Sequence, residues 1–93
     1  MLTLKRGMLA YFDSYAGLVP CKVLAIEATK YGDYIAYIRY TAQRGPYSRG
    51  ETGKHNALKV FPRDAVSRVR WQLFPRILPF SIVADQREGG ANA

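Results

Sequence analysis

Residues 34–42 alternate with period two, with Tyr34, Ala36, Ile38, Tyr40 and Ala42 on one face and Ile35, Tyr37, Arg39 and Thr41 on the other. Successive side chains of a β-strand point to opposite faces, so the pattern predicts a central strand. The same reading extends upstream. Met8, Ala10 and Phe12 alternate with Leu9 and Tyr11 in a first strand over residues 7–13, opened by Gly7 and stopped by Asp13 and Ser14. Asp13 to Gly17 carries turn chemistry around an exposed aromatic, Tyr15. A second strand over 18–28 follows, with Pro20 near its start, where a missing backbone donor costs little. Thr29, Lys30, Tyr31, Gly32 and Asp33 then close a hairpin into the central strand, with Gly32 free to take positive φ.

Beyond the central strand the apolar rhythm stops. Residues 43–55 read as a long polar loop carrying Gly45, Pro46, Gly50 and Gly53 for turning, together with Arg44, Arg49, Lys54, His55 and Tyr47. A short strand is expected over 57–61, and Pro62, Arg63, Asp64 and Ala65 form a tight corner before the pattern resumes at Val66. Residues 71–83 hold Trp71, Leu73, Phe74, Ile77, Leu78, Phe80, Ile82 and Val83, broken by Pro75 and Pro79. Two prolines so close oppose a helix, which predicts an extended apolar strap ending in a strand near 80–83. Such a strap covers an open sheet edge or pairs with a second copy in a homodimer, because apolar chain left exposed invites aggregation. Residues 85–93 show no periodicity and are expected to be a flexible tail on a single domain spanning 1–84.

Composition narrows the function classes. In 93 residues there is room for one thin core, and no apolar run approaches the roughly 20 residues of a membrane-spanning helix. The N-terminal charges follow the apolar residues, an order unlike a secretory signal, so the expected location is a bacterial or host-cell cytoplasm, with no membrane partner. Cys21 is the single cysteine and falls on the core side of its strand; His55 is the single histidine, with no second His or Cys to build a metal site. No cofactor is expected. The net charge of +7 is regional: residues 39–76 carry a surplus of seven, residues 1–38 a surplus of one and residues 77–93 a deficit of one. Such a concentration points to a polyanionic partner.

Five strands with local hairpins first and a tight corner last predict an all-β fold, a small, partly open antiparallel barrel of five to six strands. Gly7 with its strand, the run Pro20, Cys21, Lys22, Val23, Leu24, and the corner Pro62 to Val66 make the chain resemble the SH3-like barrel group, which includes the Tudor and KOW modules. The resemblance covers about residues 5–70. Thr41, Ala42, Arg44, Tyr47, Arg49 and Gly50 also resemble a run found in small proteins of tailed bacteriophages.

The candidate chemistry is binding. Arg39, Arg44, Tyr47, Arg49, Lys54 and His55, helped by Lys59, Arg63, Arg68 and Arg70, combine guanidinium forks for phosphates with a tyrosine on which a base stacks. That combination suits single-stranded DNA or RNA. A phosphate-cradling P-loop fits poorly, since Glu51 stands where Lys belongs after Gly50 and no parallel strand and helix are expected to flank the loop. A Tudor-like aromatic cage from Tyr11, Tyr15 and Tyr31 fits poorly, because the positive surface repels a cationic ligand. Ser14, Ser48, Ser67 and Ser81 have no matching histidine and acid, so the chain is not expected to be an enzyme. The rival reading is a phage or mobile-element interaction module, an assembly adaptor or an inhibitor of a host complex, which includes sequestering a nucleotide signal.

Overall fold

The computed structural model of the chain describes residues 2–67 and 75–85. Among the described residues the regular structure is strands and two 3-10 turns. Five strands form one antiparallel sheet: β2 (Leu9–Ser14), β3 (Gly17–Ala28), β4 (Tyr34–Tyr40), β5 (Thr52–Asn56) and β6 (Val60–Pro62), in the spatial order β5-β4-β3-β2-β6. β1 (Thr3–Leu4) lies parallel to β9 (Ser81–Ile82), and β7 (Val66–Ser67) is antiparallel to β8 (Arg76–Ile77). The parallel pair departs from a wholly antiparallel fold. It arises because the strap returns to the start of the chain instead of adding to the main sheet.

The expected hairpins are present. β2 and β3 meet at a turn from Ser14 to Gly17, where the Ser14 hydroxyl donates to the Gly17 carbonyl (2.8 Å). Between β3 and β4 the Thr29 N–H donates to the Asp33 carbonyl (2.8 Å), and Gly32 takes φ +87°. β3 is the longest element, and a bulge at Leu24 divides it. Before the bulge Val19, Cys21 and Val23 face the core; after it Ile26 does, since one extra residue resets the alternation. Its first half pairs with β2 and its second half with β4, so β3 is shared between the two ends of the sheet.

The core gathers the inward row of each strand: Leu4, Ala10, Phe12, Val19, Cys21, Val23, Ile26, Ala36, Ile38, Tyr40, Ala57 and Val60. Burial pushes the Cys21 thiol up to about 12, with the Arg63 guanidinium acting weakly the other way, so it stays protonated as a small core hydrophobe. The strap is tied into this core. β9 pairs with β1, the Val83 N–H donates to the Leu4 carbonyl (3.0 Å), and Phe80 meets Phe61 edge-on at 6.0 Å. Asp85, expected in the tail, accepts from the Ile26 N–H (3.2 Å) and donates its own N–H to the Ile26 carbonyl (2.8 Å). Residues 68–74 and 86–93, which include Trp71 and most of the expected tail, lie outside the described residues.

Two boundaries differ from expectation. The stretch read as loop to residue 55 contains β5, a polar edge strand paired with β4 from Arg39↔Thr52 to Ile35↔Asn56. Residues 57–61, read as a strand, begin as a 3-10 turn (Ala57–Lys59), because the Asn56 side chain caps it by accepting from the Leu58 N–H (2.9 Å). The corner at Arg63–Ala65 is the second 3-10 turn. No helix among the described residues is long and apolar enough to cross a membrane.

Candidate functional site

β5 sorts the cationic stretch onto two faces. Thr52, Lys54 and Asn56 are exposed, whereas Gly53 and His55 turn inward, so neighbours in sequence part company in space. On the outward face the register builds a row of Leu9, Lys22, Arg39 and Thr52 across four strands. Lys54 sits opposite Tyr37, one step along from Arg39. Lys22, Arg39 and Lys54 are all exposed, and Tyr37 between them is half-buried. Lys22 and Arg39 are direct cross-strand partners, an arrangement in which like charges repel.

On the inward side an aromatic group fills one end of the sheet. The His55 imidazole stacks on the Phe12 ring (3.8 Å between centroids, 19° between planes), and its Nε2 shares a hydrogen bond of 2.8 Å with the Tyr40 hydroxyl. Tyr47 meets Phe12 edge-on at 5.4 Å and lies 5.1 Å from Tyr40. Gly53 makes room for this assembly, because a Cβ there would run into the Tyr40 hydroxyl and the His55 ring nitrogen. Burial pushes the Tyr40 phenol above its ordinary value, with Tyr47, Cys21 and Glu51 adding to the effect. Burial also holds His55 below its usual value, so the hydrogen bond joins a neutral phenol to a neutral imidazole at pH 7.

Tyr47 is delivered by an ordered hairpin tip. Arg44 and Tyr47 exchange two backbone hydrogen bonds of 2.9 Å around Gly45 and Pro46, with Gly45 at φ +54°. Glycine at the first central position of such a turn suits the twist of the flanking chain. The tip leans on the β2–β3 turn, so closely that a Cβ on Gly45 would stand 2.8 Å from the Ala16 Cβ. Beside this contact opens a cleft of about 410 Å3 lined by Phe12, Asp13, Ser14, Tyr15, Tyr47, His55, Asn56 and Lys59.

No protein-family model matches this chain, and neither the curated proteins nor the solved structures contain a match.

Of the residues expected to bind, Arg39 and Lys54 share the outward face, while Tyr47, His55 and Lys59 converge on the cleft. Arg44 and Arg49 are exposed in the β4–β5 connection. Three of the expected residues sit in settings that the sequence did not indicate. Tyr47 is half-buried against Phe12 and Tyr40 rather than free in a loop. His55 is not a loop residue but an inward strand residue locked in a stack. Arg63 is half-buried, with its guanidinium 5.0 Å from the centre of the Tyr11 ring, so it serves packing at the corner. Arg68 and Arg70 lie outside the described residues. The imagined cage from Tyr11, Tyr15 and Tyr31 does not assemble, since Tyr15 and Tyr31 stand in the turns at opposite ends of β3.

Sequence reasoning missed Lys22, Asp13 and Asn56. A charge count along the chain leaves Lys22 in the balanced N-terminal part, and only the register brings it to Arg39. Among the described residues no group of three or more His, Cys, Asp or Glu side chains is placed to hold a metal ion.

Proposed function

We propose that this chain is a non-enzymatic SH3-like barrel module that binds single-stranded nucleic acid across the outward face of β3, β4 and β5. The observation that carries the reading is the exposed trio Lys22, Arg39 and Lys54, aligned by strand register with Lys22 directly opposite Arg39. An uncompensated like-charge pair costs stability in the free protein. A bound phosphate backbone relieves that cost, which gives the arrangement a use that surface charge for solubility does not.

The barrel part of the proposal rests on topology. β5 and β6 are opposite edges of the five-stranded sheet, yet only the turn Ala57–Lys59 separates them in the chain. Strands spaced about 4.8 Å apart would put the edges of a flat sheet about 19 Å from each other. A 3-10 turn rising about 2 Å per residue covers about 8 Å over that step, which supports a curled sheet. Curling turns the outward face into a convex surface with its cations toward solvent. The described part of the strap is already bonded to β7 and β1, which favours nucleic-acid binding over assembly through that segment.

Three phosphate contacts by Lys22, Arg39 and Lys54 predict a log-log salt slope of about −2 for a single strand. Fluorescence anisotropy with a labelled oligonucleotide reads this directly. The double variant Arg39→Glu with Lys54→Glu should lose at least about tenfold in affinity at low salt and flatten the slope. Its fold should persist, because Glu opposite Lys22 replaces repulsion by attraction of a few tenths of a kcal/mol. Affinity that ignores salt, or that survives in this variant, rules the reading out.

A further inference from the structure

The cleft between the β2–β3 turn and β5 is separate from the cationic row and has a chemistry of its own. The Tyr15 ring stands at its rim fully exposed, at 108% relative accessibility, and meets no other ring among the described residues. Two other lining residues are fixed in place: His55 is held between the Phe12 stack and the Tyr40 hydrogen bond, and Tyr47 is wedged against both Phe12 and Tyr40. A free aromatic ring in one cleft with fixed aromatic residues suits a flat ligand ring.

The polar lining says which kind of ring. Asp13 contributes a carboxylate that only accepts hydrogen bonds when ionised. Asn56 has its carbonyl oxygen engaged with the Leu58 N–H, which leaves its amide NH2 as a donor. Lys59 adds a cationic donor from the last position of the 3-10 turn. Donors and an acceptor side by side match the edge of a nucleobase, which presents both. Asp13 disfavours a phosphate in the same space, and Lys59 with the net charge of +7 disfavours a cation. The volume of about 410 Å3 falls in the range of about 300–1,000 Å3 typical of small-molecule sites.

We infer that this cleft takes one unpaired nucleobase, stacked on Tyr15, from the strand whose phosphates lie on the outward cations. The inference rests on the proposed nucleic-acid binding, and the two fail differently.

The test compares a short single-stranded DNA with the same backbone made abasic, by anisotropy at fixed salt. Stacking predicts on the order of tenfold tighter binding of the base-bearing strand. Tyr15→Ala abolishes that preference and leaves the abasic affinity unchanged, and Tyr15→Phe restores it. Tyr15 is wholly exposed, so the substitutions leave the core intact. Arg39→Glu lowers both affinities together. A mononucleotide of the same base binds more weakly than the strand, since it lacks the outward phosphate contacts. Equal affinity for the two strands, or a preference that survives Tyr15→Ala, overturns the inference while leaving the proposed function standing. A mononucleotide that matches the strand also overturns it, by making the cleft a nucleotide site. If neither strand binds, both readings fall.

Discussion

His55 shows how one residue changes meaning between a string and a fold. In the sequence it sits beside Lys54 among polar residues and reads as part of a basic loop; in space it stacks on Phe12 and bonds to Tyr40. Its imidazole is held below the usual value by burial, so the unfolded chain takes up a proton that the folded one resists. Stability from this group is fully present above the ordinary histidine value of about 6.5 and falls as the pH drops below it. Denaturant titrations at pH 7.5 and pH 5.5 should therefore show a weaker fold at the lower pH, with part of the difference removed by His55→Gln. A His55→Gln protein with the same pH dependence as the parent would show that the imidazole does not carry it. Cys21, by contrast, was fully legible, since a lone cysteine on the apolar side of a strand has little else to be.

Among the elements, the strands with apolar alternation were readable and the polar one was not. β2, β3 and β4 announce themselves by period two, and their hairpins by Gly and turn residues. β5 hides because Thr52, Gly53, Lys54, His55 and Asn56 carry loop chemistry, and it forms through pairing with β4 at the sheet edge. Tertiary pairing outweighs the local preference there. Gly53 is the residue that makes the pairing compatible with the aromatic cluster, so Gly53→Ala should cost about 1–3 kcal/mol as an overpacked site. Urea unfolding measures this, and proton chemical shifts of the Tyr40 and Phe12 rings should move with it. A neutral outcome would mean that Tyr40 swings clear of β5 at little cost. The site was legible only in part for the same reason. Arg39, Lys54, His55 and Lys59 were visible as residues, but their division between two faces depends on a strand that the local pattern conceals.

At the scale of the whole molecule, the chain is held shut by its far ends. β1 and β9 lie side by side, and Asp85 bonds both backbone groups of Ile26 on the edge of β3 that faces away from β4. That edge would otherwise offer open hydrogen-bonding groups just past the bulge, a template for unwanted pairing. Asp85→Ala should cost about 1 kcal/mol, and hydrogen exchange should speed up at Ile26 before it does at Ile38. Unchanged exchange at Ile26 would show that the carboxylate does not hold the edge. The apolar strap was legible as something that needs cover, but its return to the first strand was not, since nothing local in Phe80, Ser81 or Ile82 names a partner so remote in sequence.

The closure of β1 against β9 also sets an order of events during synthesis. Leu4 is wholly buried in the finished protein, yet the strand beside it arrives with Ser81 and Ile82, long after Leu4 itself has been made. Until then the nascent chain exposes that leucine and the unsealed side of β3, and sealing them is a loop closure of long sequence separation. Refolding from denaturant and folding at the tunnel exit thus differ in when the seam can zip.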